Sequence, residues 1–267
     1  MDIDILLGNE EEKPLERFPQ NGGFTRIFRT IACIGDSLAS GEFQIINPRT
    51  NSPMGIDSYE HSWGQYMARM TGSTVYNFSR GGMTAKEYAI SFSNEMGLYR
   101  PSLAADAYII ALGVNDIVNK GLSVGDADDI CIDDENKCAD SFAGWIGHII
   151  LRYKRIAPEA RFFLVTIPDA PRAEAQTKAV EEHRRLMYAL SEFFDNTYVI
   201  DLNKYAPNYG GKFRDKFMLN GHMNAMGYLL SADMICSYID YIIRHKAEDF
   251  MYVGLSGYEH KSESDNL

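Results

Sequence analysis

Cysteine is scarce in this sequence: the 267 residues include four cysteines, with no C-x-x-C pair and no spacing with histidine that fits a zinc site. Cys33 and Cys236 fall in apolar patterns that are typical of reduced core residues. Cys131 and Cys138 flank an acidic stretch and can pair only in an oxidising compartment. The cysteine pattern predicts no metal centre.

Basic residues are also few relative to acidic ones, 26 against 37, which gives a net charge of −11 and a pI near 5.0. Such a surface repels polyanions, so we expect neither a nucleic acid nor an acidic membrane surface as a partner. A small neutral or cationic substrate is easier to accommodate. Composition leaves a homo-oligomer open.

Long apolar runs are absent. The N-terminal stretch, MDIDILLGNEEEKPLERF, has no basic region followed by an apolar core, so it does not fit a signal peptide or a membrane span. With Met1 taken as the start, the expected location is the cytoplasm. No G-x-G-x-x-G or G-x-x-x-x-G-K-[ST] follows the first apolar run, which argues against nucleotide binding.

Short apolar runs are present and recur through the chain. Runs that are apolar on both faces suit buried parallel strands, and the segments between them have helical periodicity. The sequence therefore predicts a doubly wound, three-layer α/β/α domain over residues 28–250, with an N-terminal arm (1–27) and a C-terminal tail (251–267). The predicted strands of the five-stranded parallel sheet are 31–34, 75–78, 107–112, 162–167 and 198–202.

Two polar segments interrupt this plan, residues 44–60 and 121–140. Both are predicted to be surface loops or insertions near the carboxyl edge of the sheet. The acidic run GDADDICIDDENK has the wrong carboxylate spacing for a calcium loop, so a solvated loop is expected. Composition does not say whether the arm packs on its own domain or on a second subunit.

Chemically useful residues follow the early strands and open the last helix. Because the carboxyl ends of parallel strands share one edge, these segments are expected to meet in a crevice there. They are Gly35-Asp36-Ser37, NFSRGGMT from Asn77 to Thr84, GVND from Gly113 to Asp116, and NGHMNAMGY from Asn220 to Tyr228.

Acyl transfer from an ester needs a nucleophilic hydroxyl, a base and donors for the developing oxyanion. Ser37, on a tight turn at a helix N-terminus, can supply the nucleophile and one backbone N–H. Gly82 can supply a second N–H, with Gly81 as a rival that the spacing favours less. The Asn115 amide can supply a third donor, and His222 the base. Acyl transfer by these residues needs no organic cofactor.

In this order the four blocks resemble those of the SGNH (GDSL-type) hydrolases, over roughly residues 28–245. The matching motifs are GDSL at 35–38, N-x-x-x-x-G-x-T at 77–84, GVND at 113–116 and H-x-N-x-x-G-Y at 222–228. The resemblance implies a flavodoxin-like fold and an esterase that cleaves a small acyl ester, with an acetylated carbohydrate as one candidate substrate. Asp36 is expected to brace the serine turn and Asp116 to order the Asn115 loop.

One position departs from the family pattern. Most members carry an aspartate three residues before the histidine, where this chain has Leu219. Three explanations stay open: a backbone carbonyl near Leu219 or Asn220 orients His222, Asp215 or Asp201 reaches in, or the protein is a degenerate carbohydrate- or ligand-binding protein. We favour a Ser37–His222 dyad held by a carbonyl. The other histidines, without the following motif, are expected to pack or to lie on the surface: His61, His148, His183, His245 and His260.

Overall fold

The strands of the computed structural model, which describes residues 3–9 and 11–255, include all five that the sequence predicts. In chain order they are β1 (Thr30–Gly35), β2 (Glu42–Ile46), β3 (Pro53–Asp57), β4 (Thr74–Ser79), β5 (Ala107–Ala111), β6 (Arg161–Val165), β7 (Thr197–Ile200), β8 (Met218–Leu219) and β9 (His222–Met223). The predicted runs correspond to β1, β4, β5, β6 and β7.

These five strands form one parallel sheet in the order β4-β1-β5-β6-β7. After β1 the chain adds β4 on one side and then returns to add β5 on the other side, so the topology is doubly wound. The crevice of such a sheet lies at the carboxyl ends of β1 and β5, where the strand order reverses. Gly35 is level with both Ser79 of β4 and Ala111 of β5. The three segments that follow these strands therefore start from the same edge, and the predicted fold class is confirmed.

Helices cover both faces of the sheet. They are α1 (Ile3–Leu7), α2 (Ser37–Ser40), α3 (Trp63–Thr71), α4 (Ala85–Glu87), α5 (Ser93–Glu95), α6 (Phe142–Ile156), α7 (Glu174–Phe193), α8 (Leu202–Tyr205), α9 (Gly211–Phe217) and α10 (Ala225–His245). Residues 88–92 and 114–119 are π-wound, and short 3-10 turns lie at 20–27, 59–61, 101–103, 127–129, 135–137 and 247–250.

Successive residues of the central strands pack into different halves of the core. In β1, Ala32 and Ile34 lie in the cluster that includes residues of α6 and α7, whereas Ile31 and Cys33 lie in the cluster that includes residues of α3 and α10. Both faces of the sheet are thus buried, which explains why its strands are continuous apolar runs rather than alternating ones.

The described part of the N-terminal arm packs on its own domain. Phe24 N donates to Asp240 Oδ1 at 2.8 Å, and Thr25 Oγ1 donates to the Cys236 carbonyl at 3.0 Å. Arg244, almost fully buried on α10, donates to both carboxylate oxygens of Glu12 at 2.6 and 2.7 Å. The arm is therefore clamped along α10. Most of the predicted tail, residues 256–267, lies outside the described residues.

Segment 44–60, predicted to be a surface loop or an insertion, contains regular structure that its composition does not indicate. Strands β2 and β3 form an antiparallel hairpin, with Glu42 opposite Asp57 and Gln44 opposite Gly55. The sequence did not indicate the hairpin because every residue of β3 is exposed, so no alternation of apolar and polar residues marks it as a strand. The hairpin packs against β8 and β9.

Segment 121–140 is irregular, as predicted, but it is anchored to the domain. The Glu135 side chain is buried and accepts from Arg155 at 2.7 Å. Cys131 N donates to Cys138 Sγ at 3.3 Å, and all four cysteines are free thiols. Within residues 3–9 and 11–255, no helix has the length and apolar character needed to cross a membrane.

Candidate active site

Ser37 begins α2 directly after β1. Its neighbour Asp36 is the N-cap of that helix and accepts from Leu38 N at 3.0 Å through Oδ1. Gly35 is needed for close packing, because a Cβ there would lie 2.5 Å from Ala39 Cβ. Ser37 is half-buried, and its backbone N–H donates to no group among the described residues. That N–H is therefore available to an incoming oxygen atom.

The glycine loop after β4 lies beside this turn. Gly82 is exposed with φ +72°, a conformation that favours glycine, and open space surrounds the position of its absent side chain. A Cβ at Gly81 would lie 3.9 Å from Ser37 Cβ. Neither glycine N–H has a partner in the described part of the chain, so hydrogen bonding does not decide between them.

Asn115 joins the two loops. Its Nδ2 donates to the Met83 carbonyl at 3.1 Å and lies 3.4 Å from Asp36 Oδ2, while its Oδ1 accepts from Asn119 Nδ2 at 2.8 Å. The amide is thus fixed between the glycine loop and the serine turn. To serve a substrate oxygen, Nδ2 would exchange its longer contact, the one to Asp36.

Two buried carboxyl groups support this arrangement. Burial raises the pKa of Asp36 to about 7 and that of Asp116 to about 6. Asp116 Oδ1 accepts from Ala85 N at 2.9 Å, which ties the Asn115 segment to the helix after the glycine loop.

His183 is fully buried beneath Gly113. A Cβ at position 113 would lie 2.9 Å from His183 Nε2, and burial lowers the pKa of His183 to about 3.

His222 lies on the short strand β9, against α2. The turn that precedes it passes through Asn220, with φ +57°. No hydrogen bond joins His222 to Ser37 Oγ among the described residues, and such bonds are often long before substrate binds. His222 Nδ1 is buried without a partner in the described chain, and Nε2 lies 3.6 Å from Glu42 Oε1.

None of the groups expected to orient His222, a nearby backbone carbonyl, Asp201 or Asp215, makes a hydrogen bond to its ring among the described residues. No backbone carbonyl accepts from Nδ1 within the described residues, contrary to the favoured expectation. Asp201 is fully buried elsewhere, where it accepts from Arg184 at 2.7 Å and from Tyr188 at 2.9 Å. Asp215 is exposed on α9 and makes no side-chain hydrogen bond to the described residues.

The carboxylate that does face His222 is Glu42, which sequence reasoning missed. The signal available was its position, five residues after Ser37 and at the start of what proves to be the hairpin. Pairing between that hairpin and the His222 turn spans more than 170 residues of sequence, as the hydrogen bond from Gly221 N to Gln44 Oε1 illustrates. No local pattern predicts a contact of that range.

A small cavity of about 60 Å³ lies beneath the serine turn, at the carboxyl edge of the sheet. Its lining is mostly apolar, and the side chains in it that carry oxygen are Asp36, Thr166, Tyr209 and Ser231. Among the residues that the structure describes, no group of three histidine, cysteine, aspartate or glutamate side chains could hold a metal ion.

The remaining histidines lie away from this centre or beneath it. His61 is exposed near the hairpin, with Nδ1 3.0 Å from Ser58 Oγ. His148 Nδ1 lies 3.0 Å from the Glu135 carbonyl, and His245 Nδ1 lies 2.8 Å from the Tyr241 carbonyl. His260 is outside the described residues.

Solved structures with the same fold include two carbohydrate esterases and a possible lipase. Est24, a carbohydrate acetylesterase from Sinorhizobium meliloti, is 18% identical, with 84% of this chain and 100% of that chain covered and a TM-score of 0.51. A possible lipase from Chitinophaga pinensis is 17% identical, with coverages of 82% and 98% and a TM-score of 0.54. A family two carbohydrate esterase from Clostridium thermocellum, in complex with cellohexaose, is 16% identical, with coverages of 89% and 66% and a TM-score of 0.55.

At these identities the likeness shows the fold alone. A search of curated proteins found no match. The sequence itself matches the model of the GDSL-like lipase/acylhydrolase family over residues 33–230, which is most of the chain and includes Ser37, Gly82, Asn115 and His222. The chain belongs to the GDSL-like lipase/acylhydrolase family.

Proposed function

We propose that this protein is a serine ester hydrolase that cleaves small acyl esters through an acyl-enzyme on Ser37, with His222 as the base. The observation that carries the proposal is the meeting of the Ser37 turn, the glycine loop and Asn115 at one edge of the sheet, with α2 packed against the His222 strand. Acyl transfer needs a nucleophile, a base and oxyanion donors within reach of one acyl carbon.

In the proposed reaction, Ser37 Oγ forms a bond to the acyl carbon and its proton passes to His222. The carbonyl oxygen becomes negative and accepts from Ser37 N–H, Gly82 N–H and Asn115 Nδ2. Collapse of this intermediate breaks the ester C–O bond, and the alcohol leaves with the proton from His222. Water then attacks the acyl-enzyme by the same route, so that the acid is released and Ser37 is regenerated.

The proposed substrate is a small neutral ester, and an acetylated carbohydrate is the first candidate. The net charge of −11 disfavours anionic alcohols. Two of the structures with this fold are named as carbohydrate esterases, which places such substrates first in a screen. No step of the reaction requires a metal ion or an organic cofactor.

A catalytically degenerate carbohydrate-binding protein on the same fold is the second candidate. Leu219 at the position of the usual aspartate favours it, as does the buried His222 Nδ1 without a partner among the described residues. Losing the carboxylate of a serine–histidine pair costs on the order of 10⁴-fold in turnover elsewhere. This candidate predicts binding of the sugar without release of acid.

The test is hydrolysis of p-nitrophenyl acetate and of acetylated sugars by wild type, Ser37→Ala and His222→Ala. We expect each variant to lose on the order of 10⁴-fold or more in kcat, while a fluorophosphonate labels Ser37 in wild type only. Ser91→Ala and His245→Ala are matched controls outside the site and should keep wild-type turnover. Sugar binding by wild type, with neither turnover nor labelling, would establish the second candidate instead.

A further inference from the structure

Strand β2 and the His222 turn are joined by specific hydrogen bonds. The Gln44 carbonyl accepts from Asn220 Nδ2 at 2.7 Å, and Gln44 Oε1 accepts from Gly221 N at 2.7 Å. These bonds fix the turn that immediately precedes His222 against the hairpin. The hairpin is therefore part of what determines where the imidazole lies.

Glu42 lies two residues before Gln44, and residues two apart in a strand point to the same face. Its carboxylate accordingly faces the same turn, with Oε1 3.6 Å from His222 Nε2. Both side chains are mostly buried: that of Glu42 is 21% exposed and that of His222 is 16% exposed. This is the only ion pair that Glu42 makes among the described residues, so no lysine or arginine there competes for it.

Two glycines from separate segments leave room for the carboxylate. A Cβ at Gly55, on β3, would lie 2.5 Å from Glu42 Oε1, and a Cβ at Gly81 would lie 2.1 Å from Oε2. Any other residue at either position would displace the carboxylate. The space is therefore shaped for Glu42, between the hairpin and the glycine loop of the candidate site.

The backbone of Glu42 is tied to the serine turn as well. The buried Tyr228 hydroxyl donates to the Glu42 carbonyl and lies 3.3 Å from the Ser37 carbonyl. Tyr228 belongs to α10, which begins three residues after His222. One side chain thus holds the start of β2, the nucleophile turn and the helix after the histidine in a single arrangement.

We infer that Glu42 is the positioning carboxylate of His222, in the role that an aspartate at position 219 would fill; the inference rests on the proposed esterase function. Glu42 Oε1, 3.6 Å from Nε2, favours the tautomer that carries its proton on Nε2 and fixes the ring, so the lone pair on Nδ1 serves as the base. When His222 takes the Ser37 proton, the carboxylate stabilises the imidazolium that forms. The other acidic groups around this centre are Asp36, which caps α2, and Asp57, which lies opposite Glu42 on β3.

Glu42→Gln keeps the size of the side chain and removes its charge. Loss of a triad carboxylate costs on the order of 10⁴-fold elsewhere, and a 3.6 Å contact is an ion-pair distance rather than a hydrogen bond. We therefore expect kcat to fall on the order of 10²- to 10³-fold, with KM within about threefold. Asp57→Asn removes a charge from the opposite strand of the same hairpin and should leave kcat within about twofold.

A second variant separates positioning from a structural role. Leu219 lies directly opposite His222 in the β8–β9 pair, where Cβ atoms are about 5 Å apart. Leu219→Asp in the Glu42→Gln background places a carboxylate beside the same ring. We expect it to recover at least about tenfold in kcat, because the imidazolium again has an anionic neighbour.

Three results would overturn the inference: Glu42→Gln with kcat near wild type, a rise in KM alone, or a loss of kcat that Leu219→Asp does not recover. A rise in KM alone would make Glu42 a substrate-binding residue. Circular dichroism melting confirms that each variant is folded. If wild type neither hydrolyses esters nor is labelled at Ser37, the proposed function fails. If instead wild type is active, Ser37→Ala is inactive and Glu42→Gln has wild-type turnover, then the esterase function stands and only the role of Glu42 fails.

Discussion

The two halves of the candidate site are held in place by different kinds of structure. Ser37 and Asn115 follow β1 and β5 at the centre of the parallel sheet, and the carboxylates that brace them, Asp36 and Asp116, are buried. His222 lies on a two-residue strand outside the central sheet, next to a hairpin whose second strand is exposed throughout. The serine half is therefore part of the core, whereas the histidine half depends on peripheral hydrogen bonds.

This difference separates stability from chemistry. A change in the serine half is expected to affect both the reaction and global unfolding, because its residues are packed in the cooperative core. A change in the hairpin is expected to affect turnover through the position of His222 and to leave global unfolding nearly unchanged. The predictions below test that separation.

Among the changes that compare the two halves, the largest effect is expected at Asn115. Asn115→Ala removes one proposed oxyanion donor together with the link between Met83 and Asp36, so kcat should fall on the order of 10²- to 10³-fold. Fluorophosphonate labelling of Ser37 should persist, since the nucleophile and base remain. Steady-state kinetics and mass spectrometry of the labelled protein provide the measurement. An unchanged kcat would remove Asn115 from the site.

The same contrast explains what the sequence could and could not predict. The five strands and the doubly wound order were predictable because they depend on local apolar runs that alternate with helical segments. The four motif blocks were predictable because each is a contiguous stretch of sequence. The hairpin at 42–57 was not, because β3 has no buried face to impose alternation. Glu42 was not predictable either, because its contact with His222 depends on a pairing between segments far apart in the chain.

Asp36, also in the serine half, gives the next largest effect, which is measured on stability. An unfolded aspartate loses its proton near pH 4, whereas burial keeps Asp36 protonated up to about 7. Between those values the folded state binds more protons than the unfolded state, so the free energy of unfolding falls as pH rises. Each unit of difference in pKa is worth about 1.4 kcal/mol, so the fall amounts to a few kcal/mol.

Asp36→Asn should remove most of that slope, because asparagine retains the acceptor for Leu38 N and cannot ionise. Urea unfolding at about pH 5 and about pH 8 measures it, and the variant should gain stability relative to wild type at the higher value. Asp116 accounts for a smaller slope that remains, since its pKa is raised to about 6. Equal slopes in wild type and variant would contradict the buried, protonated state of Asp36.

Gln44→Ala gives the smallest effect and tests the histidine half alone. It removes the acceptor for Gly221 N, a bond at 2.7 Å, and leaves intact the bond from the Asn220 side chain, through Nδ2, to the Gln44 backbone carbonyl. A hydrogen bond of this kind contributes about 1 kcal/mol, so the turn before His222 should loosen without unfolding. We expect kcat to fall about tenfold, because small misplacements of a catalytic group are costly, with Tm within about 2 °C of wild type. Gln65→Ala, which removes a similar side-chain bond to the Val75 carbonyl outside the site, should leave kcat unchanged. If Gln44→Ala lowers Tm by several degrees instead, the hairpin belongs to the cooperative core and the two halves of the site are not held independently.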